Sequence, residues 1–194
     1  MTEQGAAAPA AELRAHGVDR VLIDAEALQA EIREMARELD AEYAGDTPLM
    51  IGVLTGAVSF MADLMQAMTI PLMIDFMAIS SYGTSTKSSG IVRILKDLNE
   101  DVEGRRIIVV EDIVDSGLTL QYLLDQLELR NPKDVRVVAL LKKDKPDAIP
   151  VQVDRIGFHI PDEFVIGYGL DYAGLYRNLP YVAVLHPSVY QNRE

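Results

Sequence analysis

Apolar residues come in short runs, separated by polar turns and by stretches of helical spacing. Val18 to Ile23 predicts a short strand. Leu28, Ile32, Met35 and Leu39 then recur on one helical face, and Asp24 stands where it can cap that helix. Gly45 and Pro48 punctuate its end. LMIGVL, Leu49 to Leu54, is a continuous apolar run, as expected of a strand covered on both faces. The turn Thr55-Gly56-Ala57 leads into a second helix through Phe60, Leu64 and Met68, and Pro71 to Ser80 predicts a further strand. The stretch SSYGTSTKSSG, ending at Gly90, is hydroxyls and glycine with one lysine. It has nothing with which to build a core, so it predicts a mobile loop, and IVRILKD after it predicts the return strand of a long hairpin.

RRIIVV, Arg105 to Val110, predicts a second buried strand, and a helix follows with Leu120, Leu123, Leu124 and Leu127 on one face. VRVVALL, Val135 to Leu141, predicts a third. The C-terminal third reads as shorter and irregular, interrupted by Pro146, Pro150, Pro161 and Pro180. Strand and helix alternate, which predicts an α/β domain with a mostly parallel sheet flanked by helices on both faces. Ligands on such sheets bind at the carboxyl ends of the strands.

Composition narrows this frame without overturning it. A chain of 194 residues suits one domain, expected over residues 18–194, behind a disordered leader of small residues at 1–17. No apolar run reaches the roughly 18 residues of a membrane helix, and no secretory signal is recognisable. There is no cysteine, so thiolate and disulfide chemistry are excluded and a cytoplasmic location is the default expectation. A net charge of −12 argues against a nucleic-acid partner, which would need clustered Lys and Arg. It leaves room for a small phosphorylated ligand, since backbone amides and a metal can hold one on an acidic protein. The three histidines, His16, His159 and His186, are scattered and are assigned no chemistry.

Chemistry concentrates in VVEDIVDSGLTL, Val109 to Leu120. A buried strand there delivers Glu111 and Asp112 to an acidic corner, where two adjacent carboxylates are costly unless a cation or hydroxyl donors satisfy them. Asp115 follows, and then Ser116, Gly117, Leu118 and Thr119 open a helix whose free amides suit an anion. A sugar phosphate with Mg²⁺ would use all of these groups. A plain strand-to-helix turn capped by Asp115 or Ser116 is the competing reading, and it accounts for one acid of the three.

The segment closely resembles the phosphoribosyl-pyrophosphate motif of the type I phosphoribosyltransferases. Its Glu-Asp pair with an Asp three residues on resembles the 6-oxopurine branch, the hypoxanthine-guanine phosphoribosyltransferases. LTGAVSF, Leu54 to Phe60, is similar to that family's pyrophosphate loop, and SSYGTSTKSSG to its lid. LLKK, Leu140 to Lys143, and FVIGYGLDYAGLYRNLPY, Phe164 to Tyr181, resemble its purine-binding segments. The resemblance implies the type I phosphoribosyltransferase fold, with a small C-terminal hood and a flexible lid.

It also implies roles. Glu111 and Asp112 would hold the ribose hydroxyls and help position Mg²⁺, and Asp171 would complete a second magnesium site. Asp115 would be the catalytic acid/base at N7 of the purine. Ser116, Gly117, Leu118 and Thr119 would cradle the 5′-phosphate, while Thr55, Gly56 and Arg177 would meet the pyrophosphate. Lys143 would donate to the 6-oxo group, Phe164 would stack on the base, and the Val165 backbone would read its edge. Ser81 and Tyr82 would be the contact residues of the lid. Two departures stand out. Thr55 occupies a position where many relatives carry a basic residue, and Leu118 one where some have lysine.

The implied activity is purine salvage, with hypoxanthine or guanine converted to IMP or GMP by phosphoribosyl pyrophosphate. A lysine beside a 6-oxo group rejects a 6-amino base, because donor would face donor. The family implies small-molecule substrates and a homodimer or homotetramer. Two alternatives stay open at this stage: a xanthine-preferring enzyme of the same branch, and a nucleotide-sensing regulator on the same fold.

Overall fold

The apolar runs of the central strands feed two cores at once. In β2 (Leu49–Leu54), Leu49, Ile51 and Val53 point to one face and Met50 to the other. The next buried strand, β5 (Arg106–Val114), splits in the same way, with Ile107 and Val109 opposite Ile108 and Val110. So does β6 (Asp134–Lys143), through Val137 and Ala139 opposite Val138 and Leu140. One core is closed by α1 (Ala25–Glu42) and α2 (Val58–Ala67), with Leu28, Ile32, Met35, Phe60 and Leu64 all buried. The other is closed by α3 (Leu118–Glu128), through Leu120, Leu123 and Leu127. A strand with apolar side chains on both faces has no solvent side, and that is why helices must cover it twice.

The computed structural model describes residues 17–82 and 91–190, without the side chains of residues 81, 82, 91 and 92. The expected leader therefore lies outside the described residues, apart from Gly17, and so does the body of the expected lid. Ser81 and Tyr82 are described only as backbone at the end of β3 (Met73–Tyr82). The large sheet has the order β4-β3-β2-β5-β6-β7, where β4 is Ile91–Lys96 and β7 is Arg155–Ile160. All its pairings are parallel except the β3–β4 hairpin. A second, antiparallel sheet joins β1 (Val18–Ile23), β9 (Val182–Leu185) and β8 (Val165–Ile166). A short helix, α4 (Pro187–Tyr190), follows it. No helix among the described residues is long and apolar enough to cross a membrane.

Several boundaries differ from the sequence expectation. β3 begins at Met73 rather than Pro71, because Pro71 has no amide proton to give a strand ladder, and it runs on to Tyr82. α2 stops at Ala67, with Met68 as its extended C-cap. The largest correction is at β5. It does not end at Val110 but continues to Val114, with Glu111 paired to Ala139 and Val114 to Lys142 in register. Glu111 and Asp112 are therefore strand residues, not a corner. The C-terminal third, expected to be irregular, contains β7, β8 and β9.

Candidate active site

Between β2 and β5 the chain diverges. It leaves β2 through α2 towards β3 on one side, and leaves β5 through α3 towards β6 on the other. A parallel sheet opens a crevice at such a point, beyond the carboxyl ends of its strands. A cavity of about 390 Å³ lies there. Its wall includes Thr55 and Gly56 after β2, Glu111 to Gly117 and Thr119 from β5 and its exit, and Lys143 at the end of β6. Phe164, Val165, Asp171 and Arg177 close it from the second sheet and the chain that follows.

The acidic pair sits on the floor. Glu111 is buried, with 7% of its surface exposed, and its Oε2 has no hydrogen-bond partner. Burial, and then the neighbouring Asp112 charge, push its carboxyl well above the usual carboxylate range. Asp112 accepts its neighbour Ile113 N–H at 2.9 Å. Burial pushes the Asp112 carboxyl up to about 6, against the backbone donors and Arg177 that favour its charged form. Gly56 packs directly over this carboxylate. A Cβ at that position would lie 1.5 Å from Asp112 Oδ2, so only glycine lets the loop after β2 approach so closely. The preceding peptide, Leu54-Thr55, is cis.

The exit of β5 builds an anion-binding end. Gly117 is the N-cap of α3 at φ +81°, a left-handed conformation open to glycine, and no side chain caps the helix. Ser116 Oγ lies 3.4 Å from the Leu118 N–H. The first intrahelical bond runs from Gln121 N–H to the Gly117 carbonyl, so the amides of Leu118, Thr119 and Leu120 precede the ladder, that of Leu118 donating at long range to Ser116 Oγ. The loop after β6 buttresses this turn, since Ile149 N–H donates to the Ser116 carbonyl at 2.9 Å.

A charged cluster stands beside it. Lys143 Nζ is 3.1 Å from Asp115 Oδ2, and Lys145 Nζ is 2.6 Å from Asp115 Oδ1. Burial raises the Asp115 carboxyl, but Lys145 and Lys143 outweigh it and hold it below its ordinary value. Opposite, Phe164 remains 37% exposed, with Tyr172 edge-on at 5.6 Å and Tyr190 stacked at 5.2 Å. Arg177 donates to the Gly169 carbonyl at 2.6 Å and pairs with Asp171 at 2.7 Å. Asp171 also accepts Gly174 N–H at 2.8 Å.

The phosphoribosyl transferase domain model matches residues 22–173. The hypoxanthine-guanine phosphoribosyltransferase of Bacillus subtilis is 50% identical over 177 residues, covering 91% of this chain and 98% of that protein. The chain belongs to the hypoxanthine-guanine branch of the phosphoribosyltransferase family. A bifunctional protein TilS/HprT of Listeria innocua is 51% identical over 173 residues, and this chain spans 27% of its length. A solved hypoxanthine phosphoribosyltransferase from Staphylococcus aureus superposes with a TM-score of 0.87 at 38% identity, over 93% of this chain and 98% of that one.

Within this member of the family, the expected residues converge on one crevice with a single exception among those fully described. Leu118 does not contribute to the cavity wall. It is the first residue of α3, and its backbone, not its side chain, is what the helix end offers. The sequence motifs did not point to Lys145, to Asp162, which pairs with Lys143 at 3.5 Å and Lys145 at 3.2 Å, or to the Ile113 and Ile149 amides. Which lysine meets which acid depends on strand register, which no local sequence pattern reports. Among the described residues no group of three or more acidic or histidine side chains is clustered tightly enough to cage a metal.

Proposed function

We propose that this crevice transfers the 5-phosphoribosyl group of phosphoribosyl pyrophosphate to N9 of hypoxanthine or guanine. The C1′–N9 bond forms, the C1′–pyrophosphate bond breaks, and the products are IMP or GMP and pyrophosphate. The observation that carries the reading is a juxtaposition. At one strand divergence, an acid pair on the cavity floor and an open helix end stand beside a lysine-held aspartate and an exposed phenylalanine. The first half suits a sugar phosphate, the second a purine.

On this reading the 5′-phosphate sits on the amides and hydroxyls of Ser116 to Thr119. Glu111 and Asp112 face the ribose hydroxyls. As the leaving group departs, the sugar gains oxocarbenium character, and these carboxylates stabilise the developing positive charge. Asp115 takes the imidazole proton at N7 while N9 attacks, help worth typically about 10²–10⁴-fold. Lys143 donates to the 6-oxo group, Phe164 supplies a ring face, and the Val165 backbone reads the base edge. Thr55, Gly56 and Arg177 hold the pyrophosphate, with Thr55 acting through its backbone. Ser81 and Tyr82 close over the reacting atoms to exclude water.

The acid pair also fits Mg²⁺. Its donors are all oxygen, the Glu111 Oε2 is buried and unpartnered, and a magnesium ion commonly takes one or two protein carboxylates with the rest from substrate. Glu111 and Asp112 would hold one ion, and Asp171 would help with a second. Bound there, Mg²⁺ would supply positive charge to neutralise the pyrophosphate as it leaves. A chain without cysteine has no disulfide to gain from an oxidising compartment, and we read it as cytoplasmic.

The test is a rate comparison among hypoxanthine, guanine, xanthine and adenine, with saturating phosphoribosyl pyrophosphate and Mg²⁺. Expected is rapid IMP and GMP formation with one pyrophosphate per nucleotide, and at most traces from adenine. Absence of Mg²⁺-dependent IMP and GMP would overturn the reading.

A further inference from the structure

Three neighbouring parallel strands each deliver a charge to the same spot on the carboxyl edge. Asp115 follows β5, Lys143 ends β6, and Asp162 lies just beyond the end of β7. Register brings them together, since Val114 pairs with Lys142 and Lys143 with Ile160. A fourth member, Lys145, comes from the turn after β6. That turn is pinned by Asp144 N–H to the Ile160 carbonyl at 2.9 Å and by Lys145 N–H to the Lys143 carbonyl at 3.1 Å. Lys145 Nζ lies 2.6 Å from Asp115 and 3.2 Å from Asp162, and Lys143 Nζ lies 3.1 Å and 3.5 Å from the same two acids.

The two lysines are not equivalent. Lys143 lines the cavity and Lys145 does not. A base entering the crevice can therefore draw Lys143 away from Asp115, whereas Lys145 approaches the carboxylate from behind the wall. Asp115 is half-exposed on a turn, and without a partner its side chain could rotate out of the crevice. We propose that Lys145 is the positioning residue for Asp115. It keeps the aspartate oriented and its charge compensated while Lys143 is given over to the 6-oxo group, and Asp162 anchors both lysines from the far side. This rests on the phosphoribosyl-transfer reading, in which Asp115 serves N7 and Lys143 serves O6. The charged groups on Asp115 are Lys143 from β6 and Lys145 from the following turn, with Asp162 beyond β7 on the far side of both lysines; the start of α3 presents only Ser116, Gly117, Leu118 and Thr119.

The experiment compares the full chain with Lys145→Met and Lys145→Arg. Expected for Lys145→Met is a kcat for hypoxanthine lower by about tenfold, with the KM for phosphoribosyl pyrophosphate within about twofold of the parent. The acidic limb of the kcat profile should move up by about one pH unit, the effect of removing a cation beside a carboxylate. Lys145→Arg should restore most of both. An unchanged kcat and acidic limb in Lys145→Met, or an Arg variant as impaired as the Met variant, overturns the proposal. If the parent itself shows no transfer, the functional reading fails instead. The ¹³C carboxyl resonance of Asp115 then tests Lys145 alone: titration at the same pH in parent and Lys145→Met rejects its hold on Asp115, and a higher midpoint in the variant supports it.

Discussion

Replacing Asp112 with asparagine should make the empty protein more stable and the enzyme worse. The carboxylate lies under Gly56 and beside Glu111, with the Ile113 N–H as its donor. Burial favours its protonated form, so the folded protein holds a proton that the unfolded chain has already released. The stability from that proton is present below about pH 4 and is lost as the pH rises through about 6. Raising the carboxyl from 3.8 to about 6 corresponds to a cost of about 3 kcal/mol once it is charged, and its partial exposure brings this to about 1–3 kcal/mol. Asparagine has no charge to desolvate and keeps an oxygen for the Ile113 N–H. In Mg²⁺-free buffer at pH 8, Asp112→Asn should therefore melt about 2–10 °C higher than the parent by calorimetry. The gain should fall to about half at pH 5 and to about a fifth at pH 4. Transfer should drop at least about tenfold, as a contact to ribose and metal is lost. A variant that melts lower at pH 8, or a difference that does not change with pH, refutes the reasoning.

Other variants probe the remaining walls. Gly56→Ala must move either the loop or the Asp112 carboxylate by about 2 Å to relieve the contact between them. A displacement of that size should cut kcat/KM for phosphoribosyl pyrophosphate by about 10²-fold or more, and near-normal kinetics would remove the loop from the site. Asp115→Asn should lose about 10²–10⁴-fold in kcat while phosphoribosyl pyrophosphate still binds by calorimetry; normal turnover would cancel its assigned role. Lys143→Ala should narrow the preference for hypoxanthine over adenine by at least about tenfold, and an unchanged ratio would reject it as the 6-oxo donor. Arg177→Met removes the donor to the Gly169 carbonyl and the partner of Asp171. The KM for phosphoribosyl pyrophosphate should rise about 10–100-fold, and no change would exclude Arg177 from the pyrophosphate site.

The central strands were legible because apolar residues without alternation leave no solvent face; β2, β5 and β6 could hardly be anything else. Where β5 ended was not legible. Glu111 and Asp112 look like a stop, yet the backbone goes on pairing with β6 to Val114, since a ladder depends on its neighbour and not on the side chains it carries. β8 and β9, two and four residues long, were hidden by their shortness, and β7 by a mixed run, RIGFHI, lying among prolines. The chemistry of VVEDIVDSGLTL raised the expectation of a sugar-phosphate site; its residues do line the crevice, and its glycine has the left-handed backbone that a tight turn uses. The partners of Asp115 could not be read in this way. Lys145 reaches it, and Asp162 reaches the same two lysines, only because three strands stand in one particular register.

A crystal structure of the protein with IMP and Mg²⁺ tests the account most directly. The 5′-phosphate should lie on the amides of Ser116 to Thr119, the ribose hydroxyls should face Glu111 and Asp112, and O6 should take Lys143 while Lys145 stays on Asp115. A nucleotide bound outside the divergence of β2 and β5, or one with its base turned away from Lys143 and Phe164, would contradict it.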